Sequence, residues 1–295
     1  MNPWIRRGLI AVVVIVVLIA AAIATGTQLA ERNMNRHVDV AVQPVAIPTD
    51  AAALKRGRYL FASRGCADCH GANGAGSLFI NEGGMKATAP NLTRGAGSAT
   101  LAYQPVDWVR TVRHGVKPNG KPVVIMPSVD YNRYTDADMG AVIAYVQSLL
   151  AVAGPSAKFE FPLPLRVLYG FGAIPDAASR IDHNLPPQQP VAEAVTVEHG
   201  KYVANMCAGC HGAKLEGGKV PGGPPDWPAA ARLAPGEGSV IAARYADAEV
   251  FVKMLKSGKR ADGSAIAVMP FEALAKVSEV DARALHLYLK SLGGR

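Results

Sequence analysis

The longest apolar run of the chain lies near the N-terminus, from Gly8 to Thr25, directly after Arg6 and Arg7. Its length approaches the roughly 20 residues that a helix needs to cross a bilayer. Arginines beside such a run stay cytoplasmic, so the rest of the chain is expected outside. A cleavable signal peptide is the alternative, because residues 22–24 resemble a cleavage site. The pattern favours a single-pass anchor in the inner membrane, with the folded part in the periplasm.

Beyond this run, apolar positions recur at helical spacing in several segments. Thr135 and Ser278 each precede such a segment and are followed three residues later by an acidic residue, a variant of the capping box that predicts the start of a helix. Apolar segments that end at Gly115 and Gly258 predict a middle helix in each half of the chain. No strand pattern competes with them, so the sequence predicts an all-α fold with about three to four helices in each half.

The two halves repeat one pattern. Four pairs of landmarks recur at a single constant offset along the chain: Gly115 with Gly258, Met126 with Met269, Thr135 with Ser278, and Tyr145 with Tyr288. A repeat of this kind indicates a tandem duplication. The expected organisation is an anchor at 1–30, a tether at 31–53, a first domain at 54–151, a connector at 152–192 and a second domain at 193–295.

Composition and charge narrow the function only slightly. Apolar residues make up 49% of the chain and charged residues 18%, which suits folded cores and excludes a disordered chain. The formal net charge is +8. The basic residues are scattered and form no stripe interleaved with aromatic residues, which argues against nucleic acid as a partner.

The four cysteines are more informative. They form two pairs, each with two residues between the thiols and a histidine directly after the second: Cys66, Cys69 and His70, then Cys207, Cys210 and His211. This spacing attaches c-type haem, because the two thiols add to the haem vinyl groups and the adjacent histidine becomes an axial ligand of the iron.

Three other sites use two cysteines at this spacing: a dithiol redox centre, a zinc site and a pair of disulfides. Zinc ribbons separate their cysteine pairs by roughly 15 to 20 residues, whereas Cys69 and Cys207 lie in different halves of the chain. None of these sites requires the histidine twice. The sequence therefore favours two covalent haem c groups.

An electron-transfer haem also needs a sixth iron ligand, which is commonly methionine. Met126 and Met269 each precede a proline, and each follows the glycine that ends the middle helix at the same distance along the chain. We therefore assign these two methionines to iron. The remaining candidates either lie within predicted helices or lack a counterpart in the other half, which favours packing or solvated roles: Met85, Met139, Met206, Met254, His114, His183, His199 and His286.

With these residues the chain resembles the cytochrome c family, duplicated as in membrane-bound dihaem cytochromes and the cytochrome subunits of bacterial alcohol dehydrogenases. The resemblance covers residues 54–295 and is carried by both haem motifs, the 89–93 segment, both Met-Pro pairs and the terminal helices. It implies that the carbonyl of Pro90 accepts a hydrogen bond from His70 and orients its ring. The connector segment 161–166 also resembles those subunits, which typically carry a third haem, whereas this sequence has two haem motifs, which weakens the match to that specific role.

The second half departs from the family pattern at one position, where Ala231 stands in place of Pro90. Any residue supplies a backbone carbonyl, so the acceptor for His211 is expected to persist.

Two functions follow from these residues. The leading one is a non-catalytic electron carrier between a dehydrogenase or respiratory complex and a terminal oxidase or other acceptor. The alternative is a dihaem enzyme, such as a peroxidase, in which one iron keeps an open position. The presence of a methionine in each half favours the carrier.

Overall fold

A computed structural model describes residues 2–224 and 226–294. Helices dominate these residues, as the sequence predicts. In chain order they are α1 (Pro3–Asn35), α2 (Ala51–Ser63), α3 (Cys66–His70), α4 (Pro105–His114), α5 (Ser128–Tyr131), α6 (Asp136–Ser148), α7 (Leu163–Gly170), α8 (Ala177–Arg180), α9 (Val197–Ala204), α10 (Ala208–His211), α11 (Val240–Arg244), α12 (Ala248–Ser257), α13 (Phe271–Leu274) and α14 (Glu279–Ser291).

The expectation of an all-α fold is wrong, because a three-stranded antiparallel sheet is present. Its strands are β1 (Ser77–Glu82), β2 (Met85–Ala89) and β3 (Lys158–Glu160), with β2 in the centre. Gly83 and Gly84 join the first two strands with φ of 57° and 77°, a two-residue turn that non-glycine residues rarely adopt. The helical segments are also shorter and more numerous than the three to four expected in each half.

Helix α1 is much longer than the apolar run that it contains. It is the one helix in residues 2–224 and 226–294 with the length and composition to cross a membrane, with a mean hydropathy of 3.0 over its most apolar window. Its last turns extend into the segment expected to be a tether. That segment is not free: Val45 is buried in the first core and Val38 donates a backbone hydrogen bond to Gly120.

Two helix pairs organise the two halves in the same way. Helix α2 packs on α6, and α9 packs on α14. Each crossing is close: a Cβ added at Gly57 would lie 2.0 Å from the carbonyl oxygen of Ala141, and one at Gly200 would lie 1.9 Å from that of Ala284. Only glycine permits backbones to approach so closely. The four positions keep the constant offset found in the sequence.

The predicted helix ends are confirmed. The hydroxyls of Thr135 and Ser278 accept hydrogen bonds from the backbone N–H groups of Asp138 and Asp281. Gly115 and Gly258 follow α4 and α12 in the left-handed conformation. Each helix pair encloses one hydrophobic core, whose best-buried large side chains are Leu60, Phe61, Met139 and Ile143 in the first and Val203, Val277, Leu285 and Leu289 in the second.

Candidate functional site

The first cysteine motif forms the short helix α3, which follows Gly65 in the left-handed conformation. Both thiols are partly buried and unbridged. Burial raises the pKa of Cys66 to about 12 and that of Cys69 to about 11. The free thiols are therefore neutral at physiological pH, and this site lacks the lowered pKa of a reactive dithiol centre.

His70 ends the motif and has an oriented ring. Its Nδ1 lies 3.0 Å from the carbonyl oxygen of Pro90, as the family resemblance implies. A carbonyl can only accept, so Nδ1 carries the proton and Nε2 is left as a lone-pair donor for a metal. Burial lowers the pKa of His70, opposed by the bond to Pro90, and the neutral form that results is the one that binds iron.

The second motif has the same geometry. A short 3₁₀ segment, Asn205–Cys207, leads into α10, and Nδ1 of His211 lies 2.8 Å from the carbonyl oxygen of Ala231. Burial lowers the pKa of His211 as well. The change from proline to alanine between the halves therefore preserves the acceptor.

In each half, one glycine brings the acceptor carbonyl to its histidine. Gly76 and Gly217 have φ of 86° and 74°. A Cβ at Gly76 would lie 2.5 Å from the oxygen of Ala89, and one at Gly217 would lie 2.3 Å from that of Ala230. The loop after each motif thus passes directly over the chain that supplies the acceptor, a path that a side chain would block.

Met126 and Met269 lie in corresponding loops, immediately before α5 and α13. Met126 packs against the same core as Cys66, and Met269 packs against the same core as Cys207. Both methionines are half-buried. By contrast, Met139 and Met254 are buried inside helices, Met85 is in β2, and Met206 lies beside Cys207 in the second core.

The four other histidines considered as ligand candidates each have a hydrogen-bond partner within the protein. His114 and His183 pair through their Nδ1 atoms at 3.0 Å, His199 Nε2 lies 2.7 Å from Asp281, and His286 Nε2 lies 2.8 Å from the carbonyl oxygen of Tyr245. These contacts engage the four rings within the protein, and their exclusion from iron stays a prediction.

The two halves meet through a reciprocal pair of tyrosines. The hydroxyl of Tyr59 donates to Asp281 at 2.6 Å and accepts from the backbone N–H of Ser278 at 3.0 Å. The hydroxyl of Tyr202 donates to Asp138 at 2.6 Å and accepts from the N–H of Thr135 at 3.4 Å. In an ordinary capping box the acidic side chain itself accepts from the N-cap N–H. Here the hydroxyl of a tyrosine from the other half accepts from the N-cap N–H and donates to the acidic side chain.

Sequence reasoning missed this contact, although its signal is visible. Tyr59 and Tyr202 are related by the same offset as the other landmarks, as are Asp138 and Asp281. The sequence indicates only that the tyrosines lie in helices and that the aspartates lie near helix N-termini. The fold brings each tyrosine to the helix N-terminus of the other half.

One buried arginine makes the interface asymmetric. Arg64, next to the first motif, binds Asp281 at 2.6 Å with both side chains almost fully buried. Burial alone would raise the pKa of Asp281, but Arg64, Tyr59 and His199 together lower it to about 2. The corresponding carboxylate of Asp138 is bound by Arg56 of its own half at 2.8 Å.

Each motif helix lies beside the short helix that follows the methionine of the other half. The carboxylate of Asp130 in α5 accepts from the backbone N–H of Gly209 in the second motif at 2.6 Å, and burial raises the pKa of Asp130 to about 7. Reciprocally, α13 contacts α3. Each motif thus lies at the interface between the two halves.

Comparison with known proteins agrees with this geometry. Residues 54–150 match the family model for cytochrome c. This part of the chain is similar to a cytochrome c domain.

Three curated relatives extend the similarity beyond that domain. The fructose dehydrogenase cytochrome subunit of Gluconobacter japonicus is 33% identical over 180 residues, which cover 56% of this chain and 35% of the relative. The gluconate 2-dehydrogenase cytochrome c subunit of Pantoea cypripedii is 30% identical over 54% of this chain and 38% of its own length. The cytochrome c subunit of the quinone alcohol dehydrogenase of Gluconobacter oxydans is 26% identical over 82% of this chain and 55% of its own length.

A cytochrome c domain implies covalently bound haem c, and the residues of this chain fit that group. Each motif presents two thiols and an imidazole whose Nδ1 is hydrogen-bonded, so that Nε2 remains to bind iron. Within the described residues, no cluster of three or more histidine, cysteine or acidic side chains forms a competing metal site. The donor set therefore suits haem c better than zinc.

Proposed function

We propose that the chain binds two haem c groups and acts as an electron carrier. One group belongs to the unit at 54–151, through Cys66 and Cys69, and the other to the unit at 193–295, through Cys207 and Cys210. The observation that carries this proposal is the repetition of the oriented histidine, with Nδ1 to carbonyl distances of 3.0 Å and 2.8 Å in the two units.

We infer the axial ligands from the oriented histidines and from the matching loop positions of the two methionines. His70 and Met126 would bind the first iron, and His211 and Met269 the second. Haem supplies reversible one-electron exchange at its iron when both axial positions are filled. The residues of the chain contribute the covalent attachment, the fixed imidazole orientation and a core that excludes water from one side of the group.

Electrons pass between the units directly in this proposal. The contact of Asp130 with Gly209 and that of α13 with α3 support it, because they bring both haem motifs to the same interface. The chain itself then performs no substrate chemistry, and its task is to hold two redox centres close together.

The partners are proposed from the relatives. All three are named as cytochrome subunits of dehydrogenases, so we infer a dehydrogenase as the electron donor and a respiratory acceptor such as a terminal oxidase. This chain spans about a third to a half of those relatives. Helix α1 would anchor it in the inner membrane with the haem units in the periplasm.

Haem stoichiometry and purification test the proposal. The pyridine haemochrome spectrum should give about two haems per chain, and acid-acetone should not extract them. Purification from membranes with mild detergent should retain a dehydrogenase. A value of about one haem per chain would refute the second site. Loss of all colour on extraction would refute both.

A further inference from the structure

The connector between the two units carries an exposed apolar surface. We define the connector patch as Leu163, Leu168 and Phe171, whose exposed fractions are 51%, 42% and 54%. Three large apolar side chains so exposed on one short segment usually mark a surface that something covers. The only charged residue in the surrounding stretch, 163–173, is Arg166.

Helix α1 holds this patch in place. A Cβ at Gly26 would lie 2.8 Å from Val167 and 2.9 Å from the ring of Phe171, and one at Gly170 would lie 1.9 Å from the carbonyl oxygen of Gly26. The two helices therefore cross with their backbones in contact, as small residues allow helices to do within membranes. Ala30, one turn further along α1, is fully buried at this crossing.

Polar contacts lock the crossing on the side away from the apolar run. Asn33 donates to the carbonyl oxygen of Gly170 at 3.1 Å, and Arg36 makes two bonds to Asp176 at 2.6 and 2.7 Å. Arg166 pairs with Glu31 at 2.7 Å. The one charge of the 163–173 stretch is thus paired with a glutamate of α1. The carbonyl groups of Tyr169 and Gly170 at the C-terminal end of α7 accept hydrogen bonds from Asn33.

The position of Phe171 along α1 fixes its depth. The apolar run ends at Thr25, and the ring of Phe171 packs against the next residue, Gly26. A helix rises about 1.5 Å per residue, so Phe171 lies at the level where a bilayer that surrounds the apolar run would end. After Phe171 the chain turns back, and Asp176 meets Arg36 beyond the crossing.

We propose that the connector patch lies in the membrane interface beside α1 and that its partner is lipid. Continuity with the surface of α1 carries this assignment, because the apolar run at residues 8–25 of that helix is exposed up to Gly26, against which Phe171 packs. An apolar helix face with its charge neutralised is the kind of surface that sinks into the headgroup region. The consequence is that two elements, rather than one, hold the folded part against the membrane.

A bilayer-restricted photoprobe tests the proposal on the full chain. The protein is reconstituted into phosphatidylcholine vesicles with a carbene-generating apolar probe and with glutathione as a scavenger in the aqueous phase, and labelled peptides are mapped by mass spectrometry. We expect label in the 163–173 peptide several-fold above that in the peptide containing Leu287. Leu287 is the matched control, because it is 40% exposed on α14, which packs against α9.

The double variant Leu168→Ser/Phe171→Ser should lose the label from the 163–173 peptide while α1 keeps its own. Label at the control level in the wild-type peptide, with α1 labelled, would overturn the proposal and indicate a protein or a second copy of the chain as the occupant. Absence of label from α1 as well would refute the anchor on which the proposal rests. The haem count per chain, measured on the same sample, tests the electron-carrier function separately.

A second measurement follows if the units carry haem, and it rests on the proposed function. In oriented bilayers the haem absorption of the wild type should show clear linear dichroism, because α1 and the patch together fix the tilt of the folded part. The double variant should show weaker dichroism with an unchanged haem content. Equal dichroism in both proteins would contradict the role of the patch in orientation.

Discussion

The two helical units, one built on the α2–α6 pair and the other on the α9–α14 pair, place the same motif residues in different surroundings. The first has a β-hairpin between its motif and Pro90, whereas the described residues between the second motif and Ala231 hold one isolated bridge, Gly218 with Ala230. The distance from histidine to carbonyl is nevertheless nearly the same in the two units, 3.0 Å in the first and 2.8 Å in the second. The comparison teaches that the geometry of the site depends on the motif, the glycine after it and a backbone acceptor, and not on the structure of the intervening segment.

The units differ most where they meet. Asp281 is fully buried and binds Arg64, Tyr59 and His199, while Asp138 keeps 7% exposure and binds Arg56 and Tyr202. Arg64 has no basic counterpart in the second unit. The offset of the haem motifs matches it with Asn205, and the offset of the other landmarks matches it with Cys207. The interface therefore combines a symmetric pair of tyrosine contacts with one asymmetric buried ion pair.

The largest expected effect tests whether each unit attaches its own haem. Cys66→Ala/Cys69→Ala and Cys207→Ala/Cys210→Ala should each reduce the covalent haem from about two to about one per chain, because the thioether bonds require these thiols. The pyridine haemochrome spectrum of each variant gives the count. If both haems persist in either variant, the assignment of one motif to one haem is wrong.

The second prediction concerns the sixth ligand in each unit. Met126→Ala or Met269→Ala should leave both haems attached, lower the midpoint potential of one of them and let carbon monoxide bind there, because a thioether favours ferrous iron. Spectroelectrochemical titration of each single variant measures this. Met254→Leu is the control and should cause only packing effects. A low potential in Met206→Ala, with Met269→Ala unchanged, would show that Met206 is the ligand.

The third prediction uses the asymmetry of the interface. Asp281→Asn leaves Arg64 buried without a negative partner, and we expect a loss of about 3 to 5 kcal/mol in the free energy of unfolding. Asp138→Asn should cost less, about 1 to 3 kcal/mol, because Arg56 is more exposed than Arg64. Denaturant unfolding followed by circular dichroism compares the two. Equal losses would show that burial of the arginine is not what separates the units.

The pH dependence of stability tests the same carboxylate. The pKa of Asp281 is lowered to about 2 in the folded protein, against about 3.9 in an unfolded chain. The stabilisation is therefore complete above about pH 4 and is lost as the pH falls through 2, by about 2 to 3 kcal/mol in total. The wild type should lose this increment between about pH 4 and 1, and Asp281→Asn should not. Parallel curves for both proteins would contradict the assignment.

The smallest effect is expected at the acceptor carbonyls. Ala231→Pro introduces the proline found at the corresponding position of the first unit, Pro90, and keeps the carbonyl. The potential and the spectrum of the second haem should therefore stay within error of the wild type. Gly217→Ala is the sensitive counterpart, because its Cβ would lie 2.3 Å from the oxygen of Ala230 and displace this segment. That variant should shift the potential of the second haem. A shift in Ala231→Pro without one in Gly217→Ala would reverse the proposed importance of the two positions.

The sequence alone determined the local features of this protein. The cysteine and histidine spacing, the capping hydroxyls of Thr135 and Ser278, and the helix-ending Gly115 and Gly258 all depend on residues within a few positions of one another. Such features are set by short-range stereochemistry and can be predicted without knowledge of the fold. The β-hairpin is also set locally, by the Gly83–Gly84 turn between two short strands.

The tertiary structure decided every contact that joins distant residues. Tyr59 and Asp281 are hydrogen-bonded although they are 222 residues apart along the chain. From the sequence, Asp138 and Asp281 are expected to accept from the N-cap N–H of their own helix. In the fold, each of them accepts a hydrogen bond from a tyrosine of the other half. The crossing of Gly26 and Gly170 is equally invisible in the sequence, because a glycine in a helix signals a close approach without naming the partner. Which surfaces meet depends on how whole helices pack, and that is fixed only when the chain has folded.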